Sequence, residues 1–181
     1  MNQLDTERSR QHDSRKTVYE FLLVIGQFTS LFIIVYPFSS IFLWQATIFQ
    51  LVGVMFVVMA IMLALWTLRS FKQKVNILPS PRKHSYLVTS GPYKYIRHPM
   101  YAVLILGSFG IIIAYPTLVR LIGLCLLMSI LHLKMKYEET MLSKKFTGYD
   151  TYQHATNKLI PRAWHKPKTY KSSKKIVKKG T

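Results

Sequence analysis

Apolar and polar positions along this chain fall into long blocks. From Tyr19 to about Leu43 the positions are almost entirely apolar, with Glu20 near the start, and a run of that length predicts a helix able to cross a bilayer core. Its length and the lack of a small-residue cleavage pattern separate it from a removable signal peptide. The uncharged link Trp44-Gln45-Ala46-Thr47 leads to a second apolar run, Ile48 to Leu68, closed by Arg69, and the two runs predict an antiparallel helical hairpin that serves as scaffold. Gly53 and Ala60 suit either close helix approach or an ordinary lipid-facing surface. A third run extends from Pro99 to about Tyr115 and a fourth from Pro116 to about Leu133. Both are short for full spans, so Arg120 between them is expected to reach toward the far interface. The fourth helix is expected to continue out of the membrane through Lys134 to Leu142.

Residues 69–98 break this pattern with Pro79, Pro81 and the turn sequence Thr89-Ser90-Gly91-Pro92, which excludes one continuous helix. The expected fold is therefore all-α, a polytopic membrane protein with about four transmembrane helices in two hairpins. One membrane domain is expected over residues 1–163. Within it, 1–18 is a cytoplasmic tail, 19–68 the first hairpin, 69–98 a cytoplasmic loop, 99–134 the second hairpin and 135–163 a cytoplasmic helical cap. Residues 164–181 carry seven lysines and are expected to form a polybasic disordered tail held near anionic lipid headgroups.

Charge sets the orientation. The chain has 25 Lys and Arg against 7 Asp and Glu, a formal net charge of +18, a balance that suits nucleic acid or an anionic membrane. Every basic residue except Arg120 lies in the two terminal segments or the 69–98 loop. With four spans all of these share one side, which places both termini in the cytoplasm of a bacterial inner membrane or at an endoplasmic reticulum. No aromatic platform or folded reader accompanies the lysines, so no nucleic-acid partner is expected. Cys125, the single cysteine, excludes an intrachain disulfide and a cysteine zinc cluster. Oligomeric state is not readable from apolar faces.

The segment Gly91-Pro92-Tyr93-Lys94-Tyr95-Ile96-Arg97-His98-Pro99-Met100-Tyr101 places cations and rings at a water-to-membrane boundary, where polar groups are costly without a ligand. Pro99 suits the first position of a helix. The unpaired N–H groups there, beside Arg97 and His98, are expected to suit a carboxylate or phosphate. Glu138 and Glu139 are two of only seven acids. They are either a surface ion pair with Lys134 or a site for the cationic part of a ligand.

In order, Leu87-Val88-Thr89-Ser90-Gly91-Pro92-Tyr93, then Arg97-His98-Pro99-Met100-Tyr101, then Glu138-Glu139 with Leu142, then Phe146, Tyr149, Tyr152 and Ile160-Pro161 resemble the isoprenylcysteine carboxyl methyltransferases and the related phospholipid methyltransferase-like membrane enzymes. The resemblance covers roughly residues 76–162. It implies a membrane enzyme that binds S-adenosyl-L-methionine at the cytoplasmic face and methylates a membrane lipid or a lipidated or amphiphilic small substrate, on a carboxyl oxygen or an amine. Carried over by position, the cofactor contacts are Tyr86, Leu87, Val88, Tyr93, His98, Pro99, Met100, Tyr101 and Glu138. The residues for catalysis are Arg97, His98, Glu138 and Glu139, with Lys134 on the substrate and no metal. Lys134 stands where the carboxyl methyltransferases have arginine, and lysine cannot make arginine's planar two-point contact with a carboxylate. Val103 replaces a common glycine, and Ser85 stands where those enzymes tend to have histidine.

Two other classes share some of these features. Sterol-type NADPH-dependent membrane reductases have a similar Arg-His-Pro region but usually more spans than this chain can hold. A non-catalytic membrane protein would need only the basic tail.

Overall fold

A computed structural model describes residues 3–37, 46–70 and 87–161 of the chain. Tyr86, most of the central basic loop, the Trp44 link and the C-terminal lysines lie outside the described residues. The architecture is helical: α1 (Gln3–Val35), α2 (Thr47–Ser70), a 3-10 turn (Gly91–Lys94), α3 (Pro99–Ala114), α4 (Leu118–Lys145) and the short α5 (Tyr149–Ala155). Among the described residues there is no strand, only an isolated parallel bridge between Ile96 and Asn157.

Three helices are long and apolar enough to cross a membrane, within Lys16–Val35, Thr47–Ser70 and Leu118–Lys145. The fourth apolar helix, α3, has 16 residues, a rise of about 24 Å against a hydrocarbon core of about 30 Å. The N-terminal segment, expected as a tail, is helical from Gln3.

The helices do not pair as the two expected hairpins, first with second and third with fourth. α1 packs mainly on α4 and α2 mainly on α3, while α1 and α2 share at most marginal contact. Small residues explain the α2–α3 pair. A Cβ on Gly53 would run into the Gly110 carbonyl and lie 2.9 Å from the Ala114 nitrogen, so the two backbones touch where only hydrogen fits. Gly53→Ala is therefore expected to cost about 1–3 kcal/mol by overpacking, read as a lower melting temperature in detergent. Ala60, also buried, continues the contact. The opposite face of α2, including Leu51, Val54, Met55 and Met62, is exposed and suits lipid.

Polar side chains hold the α1–α4 pair. Gln27, Ser30 and Glu20 are all buried. Gln27 accepts from Lys134 Nζ at 2.6 Å, and Glu20 accepts from the Tyr137 hydroxyl at 3.0 Å. Lys134, which could have paired with Glu138 on a helix surface, instead turns inward to α1. Ile34, Tyr101, Leu127, Leu131 and Met135 form the apolar core against these pairs.

Arg120 lies at the end of the bundle where α1 and α3 finish and α4 begins. It is buried and donates through Nε to the Ile34 carbonyl at 3.0 Å and through Nη1 to the Tyr115 carbonyl at 2.6 Å. Its guanidinium thereby satisfies carbonyls at the C-terminal ends of α1 and α3, groups that helix geometry leaves without partners.

Candidate functional site

At the other end of the bundle, the turn before α3 meets the last part of α4. Gly91 makes that turn possible, with φ of +61° and a path so close to Ser70 that a Cβ would collide with its side chain. The 3-10 turn brings Tyr93 beside α5, where the Tyr152 hydroxyl donates to the Tyr93 carbonyl at 2.7 Å. Leu87 and Val88 approach as half-buried extended chain. Pro99 opens α3 as the first helical residue, as its fixed φ and missing N–H predict.

The backbone N–H groups expected to be open to an anion are largely engaged. Those of Arg97 and His98 donate to the carbonyls of Asn157 and Lys158 at 2.8 and 3.0 Å, and those of Tyr101 and Ala102 turn to the His98 carbonyl. The segment after α5 is thus latched across the start of α3.

Arg97 completes the latch. Nε donates to Glu139 Oε1 at 2.9 Å, and Nη1 donates to the carbonyls of Gln153 at 2.7 Å and Thr156. Glu139 is held from several directions: Oε1 also lies 3.2 Å from His98 Nε2 and Oε2 lies 3.3 Å from Lys158 Nζ. The acids and cations expected to share a ligand therefore compensate one another directly.

Glu138 is different. One oxygen accepts from the Tyr101 hydroxyl at 2.6 Å and the other lies 3.4 Å from His98 Nδ1. Its side chain is 20% exposed where that of Glu139 is 9% exposed. It is the more open carboxylate of the pair.

His98 sits between these two acids and stacks on the Tyr101 ring, centroids 5.5 Å apart and planes within 13°. Burial alone would lower its pKa, but hydrogen bonds to Glu138 and Glu139 and their negative charge outweigh burial, so the pKa is raised above its ordinary value. With a carboxylate at each ring nitrogen, both nitrogens act as donors, the pattern of an imidazolium. The linkage sign follows: stability from the charged ring is full below about pH 6.5 and is lost as pH rises through the higher folded value. Melting temperature in detergent should fall as pH rises above about 6.5, and His98→Gln should remove that part of the slope.

Lys134 lies one layer deeper, with Nζ 5.5 Å from the Tyr101 ring centroid. Tyr101 thus joins the Glu138 carboxylate to the Lys134–Gln27 pair. Sequence reasoning did not single out Gln27, Lys158 or Asn157. The signal for Gln27 was present, since Leu23, Gln27, Ser30 and Ile34 recur on one face of α1. Nothing local marks Asn157 and Lys158, which contribute backbone carbonyls and, from Lys158, an ammonium group to Glu139.

The placed site thus gathers Tyr93, Arg97, His98, Pro99, Met100, Tyr101, Glu138 and Glu139 around the α3 start, with Lys134 adjoining. Among the described residues no group of three or more His, Cys, Asp or Glu side chains is arranged to hold a metal ion. In chemical terms the region offers a partly exposed carboxylate, a fixed cation and a phenol ring stacked on an imidazole.

Comparison with known proteins gives the same direction. Over 120 residues the chain is 28% identical to the nickel-cobalt-cadmium resistance protein NccN of Alcaligenes xylosoxydans xylosoxydans, covering 66% of this chain and 53% of that one. Over 84 residues it is 32% identical to the cobalt-zinc-cadmium resistance protein CzcN of Cupriavidus metallidurans, covering 46% and 39%. The matches thus span about half or less of the length of these curated relatives. No solved structure matches the chain. The phospholipid methyltransferase family matches residues 48–148, a stretch that holds α2, the turn, α3, Glu138 and Glu139, and the chain therefore belongs to that family of membrane methyltransferases.

Proposed function

We propose that the protein is an S-adenosyl-L-methionine-dependent methyltransferase of the membrane, acting on a lipid or a lipidated amphiphile whose reacting group reaches the cytoplasmic face. The observation that carries this reading is Glu138: a half-open carboxylate, steadied by Tyr101 and His98, at the junction of α3 and α4 inside the family-matched stretch. The residues fit the cofactor's parts. Glu138 suits the ammonium or ribose hydroxyls by charge-assisted hydrogen bonds, and the rings of Tyr93 and Tyr101 suit a sulfonium or adenine face. Leu87, Val88, Pro99 and Met100 supply apolar surface, and Tyr86 is assigned with them by position. When bound, the cofactor supplies a methyl group on a positively charged sulfur.

The chain's task is then to position. Methyl transfer is an in-line displacement, so holding the acceptor in line supplies much of the rate. Lys134, oriented by Gln27 and facing Tyr101, takes the anionic part of the acceptor as a point charge. Arg97 and Glu139 act through the latch by fixing His98 and the turn. A carboxylate acceptor needs no base. An amine acceptor gives up a proton, and Glu138 is the acceptor of choice because it is the more exposed carboxylate of the pair, while Glu139 is held by Arg97, His98 and Lys158.

The same reading takes α3 as a fourth, short crossing, which puts the basic termini and the site on one side, and gives the lysines beyond residue 163 to anionic headgroups. By likeness to the two metal-resistance proteins, the reading places this methyl transfer in cells resisting divalent metals. Membranes carrying the protein, incubated with methyl-labelled S-adenosylmethionine, should put label into the lipid-extractable fraction. Folded protein that labels nothing across a panel of native membrane lipids would count against the proposal.

A further inference from the structure

Tyr149 is the largest fully buried side chain among the described residues, 1% exposed, and its hydroxyl is buried with no hydrogen-bond partner. Burying a phenol O–H without a partner costs about 1–3 kcal/mol, and native structures leave few such groups without a reason. Its neighbours do not share this condition. Tyr152, whose ring centroid is 6.0 Å away, donates to Tyr93, Thr156 donates to the Tyr152 carbonyl at 2.7 Å, and Arg97 and His98 are bonded as described above. The nearby acid Glu139 receives Arg97, His98 and Lys158 and makes no hydrogen bond to the hydroxyl.

The hydroxyl nonetheless belongs to the same electrostatic neighbourhood. Burial first, then the charges of Glu139, Tyr152 and Glu138, push the Tyr149 phenol up, with Arg97 opposing. It therefore remains an O–H donor throughout the physiological range. A donor kept neutral, desolvated and unpaired at the edge of the Arg97–His98–Glu139 cluster is preorganised for an acceptor that arrives from outside the chain.

We infer that Tyr149 is a ligand-binding residue whose hydroxyl donates to an acceptor atom of the adenosyl ligand, a carboxylate, a hydroxyl oxygen or a ring nitrogen. This rests on the cofactor reading above. It also extends the ligand site beyond the family-matched stretch to α5, so that the segment latched by Arg97 closes over the ligand and takes part in holding it.

The test compares wild type, Tyr149→Phe and Tyr152→Phe in detergent, by melting of the ligand-free proteins and by calorimetric titration with S-adenosylhomocysteine. Tyr149→Phe keeps the ring and should melt at or above the wild-type temperature, yet bind the ligand roughly three- to tenfold more weakly, the worth of one neutral hydrogen bond. Tyr152→Phe breaks an existing hydrogen bond and should melt lower. Equal affinity of Tyr149→Phe and wild type overturns the role of Tyr149 while leaving the cofactor reading standing. A lower melting temperature of Tyr149→Phe with unchanged affinity makes the residue structural and overturns the inference as well. Folded wild type that does not bind the ligand overturns both.

Discussion

Glu139→Ala is expected to destabilise the protein by about 3–5 kcal/mol, the cost of removing one partner from a buried ion pair. The carboxylate holds Arg97 at 2.9 Å and His98 at 3.2 Å, with side chains that are 7%, 5% and 9% exposed for Arg97, His98 and Glu139. Deleting it strands two buried cations. The Lys158 contact adds little, since that side chain is 41% exposed and such pairs are worth about 0–1 kcal/mol. Losses of this size approach the whole stability of a small domain, and the latch of residues 156–158 over α3 should open with them. Thermal melting in detergent measures the effect. Glu139→Gln, which keeps one acceptor for Arg97, should fall between the two. A melting temperature for Glu139→Ala equal to wild type would mean that the cluster does not hold this end of the bundle.

Glu138→Gln is expected to do the reverse: leave the fold and remove the function. Glutamine keeps an acceptor for the Tyr101 hydroxyl at its 2.6 Å position, and the 3.4 Å approach to His98 is weaker than the contacts of Glu139. Stability should therefore change by about 1 kcal/mol or less. The negative charge is what a ligand ammonium or ribose would feel, and losing a charge-assisted hydrogen bond costs about 1.5–3 kcal/mol, roughly ten- to a hundredfold in affinity. Methyl transfer should fall at least as far. The two adjacent acids are thus separable by experiment, Glu139 through melting and Glu138 through binding and turnover.

Most helix bounds were legible in the amino-acid pattern, although the first run, expected to about Leu43, gives a helix that ends at Val35. The second run was expected over Ile48 to Leu68 and forms α2 at Thr47–Ser70, α3 begins at Pro99, and α4 carries on past Leu133 to Lys145. These features follow from local chemistry: apolar run length, a proline at a helix start, a turn at Thr117 whose side chain accepts from the Arg120 N–H. The motif Arg97 to Tyr101 and the pair Glu138-Glu139 were also visible, and the fold brings them together. What could not be read was partner choice. Apolar faces look alike in sequence, so the pairing of α1 with α4 emerged only from Gln27 meeting Lys134 and Glu20 meeting Tyr137. Arg120 could be seen as an isolated cation but not as one that caps two helices through the carbonyls of Ile34 and Tyr115. The role of Asn157, and all of that of Lys158 beyond its exposed contact with Glu139, rests on backbone carbonyls that every residue possesses. Their identity carries no signal.

Arg97 illustrates the same limit within the site. By residue type it suited an anionic ligand, yet its Nε and Nη1 donors are used on Glu139 and on the carbonyls of Gln153 and Thr156. The sequence pattern put Arg97, His98, Glu138 and Glu139 on one ligand; the geometry instead gives Arg97, His98 and Glu139 to one another and leaves Glu138 as the more exposed carboxylate.

The measurement that bears most directly on the central reading is calorimetric titration of S-adenosylhomocysteine into detergent-solubilised protein, with Glu138→Gln in parallel and melting curves to certify both folds. One-site binding by wild type, weakened ten- to a hundredfold in a Glu138→Gln protein that melts normally, is the result predicted. No binding to well-folded wild type, or equal binding by the two proteins, would contradict a cofactor site organised on Glu138.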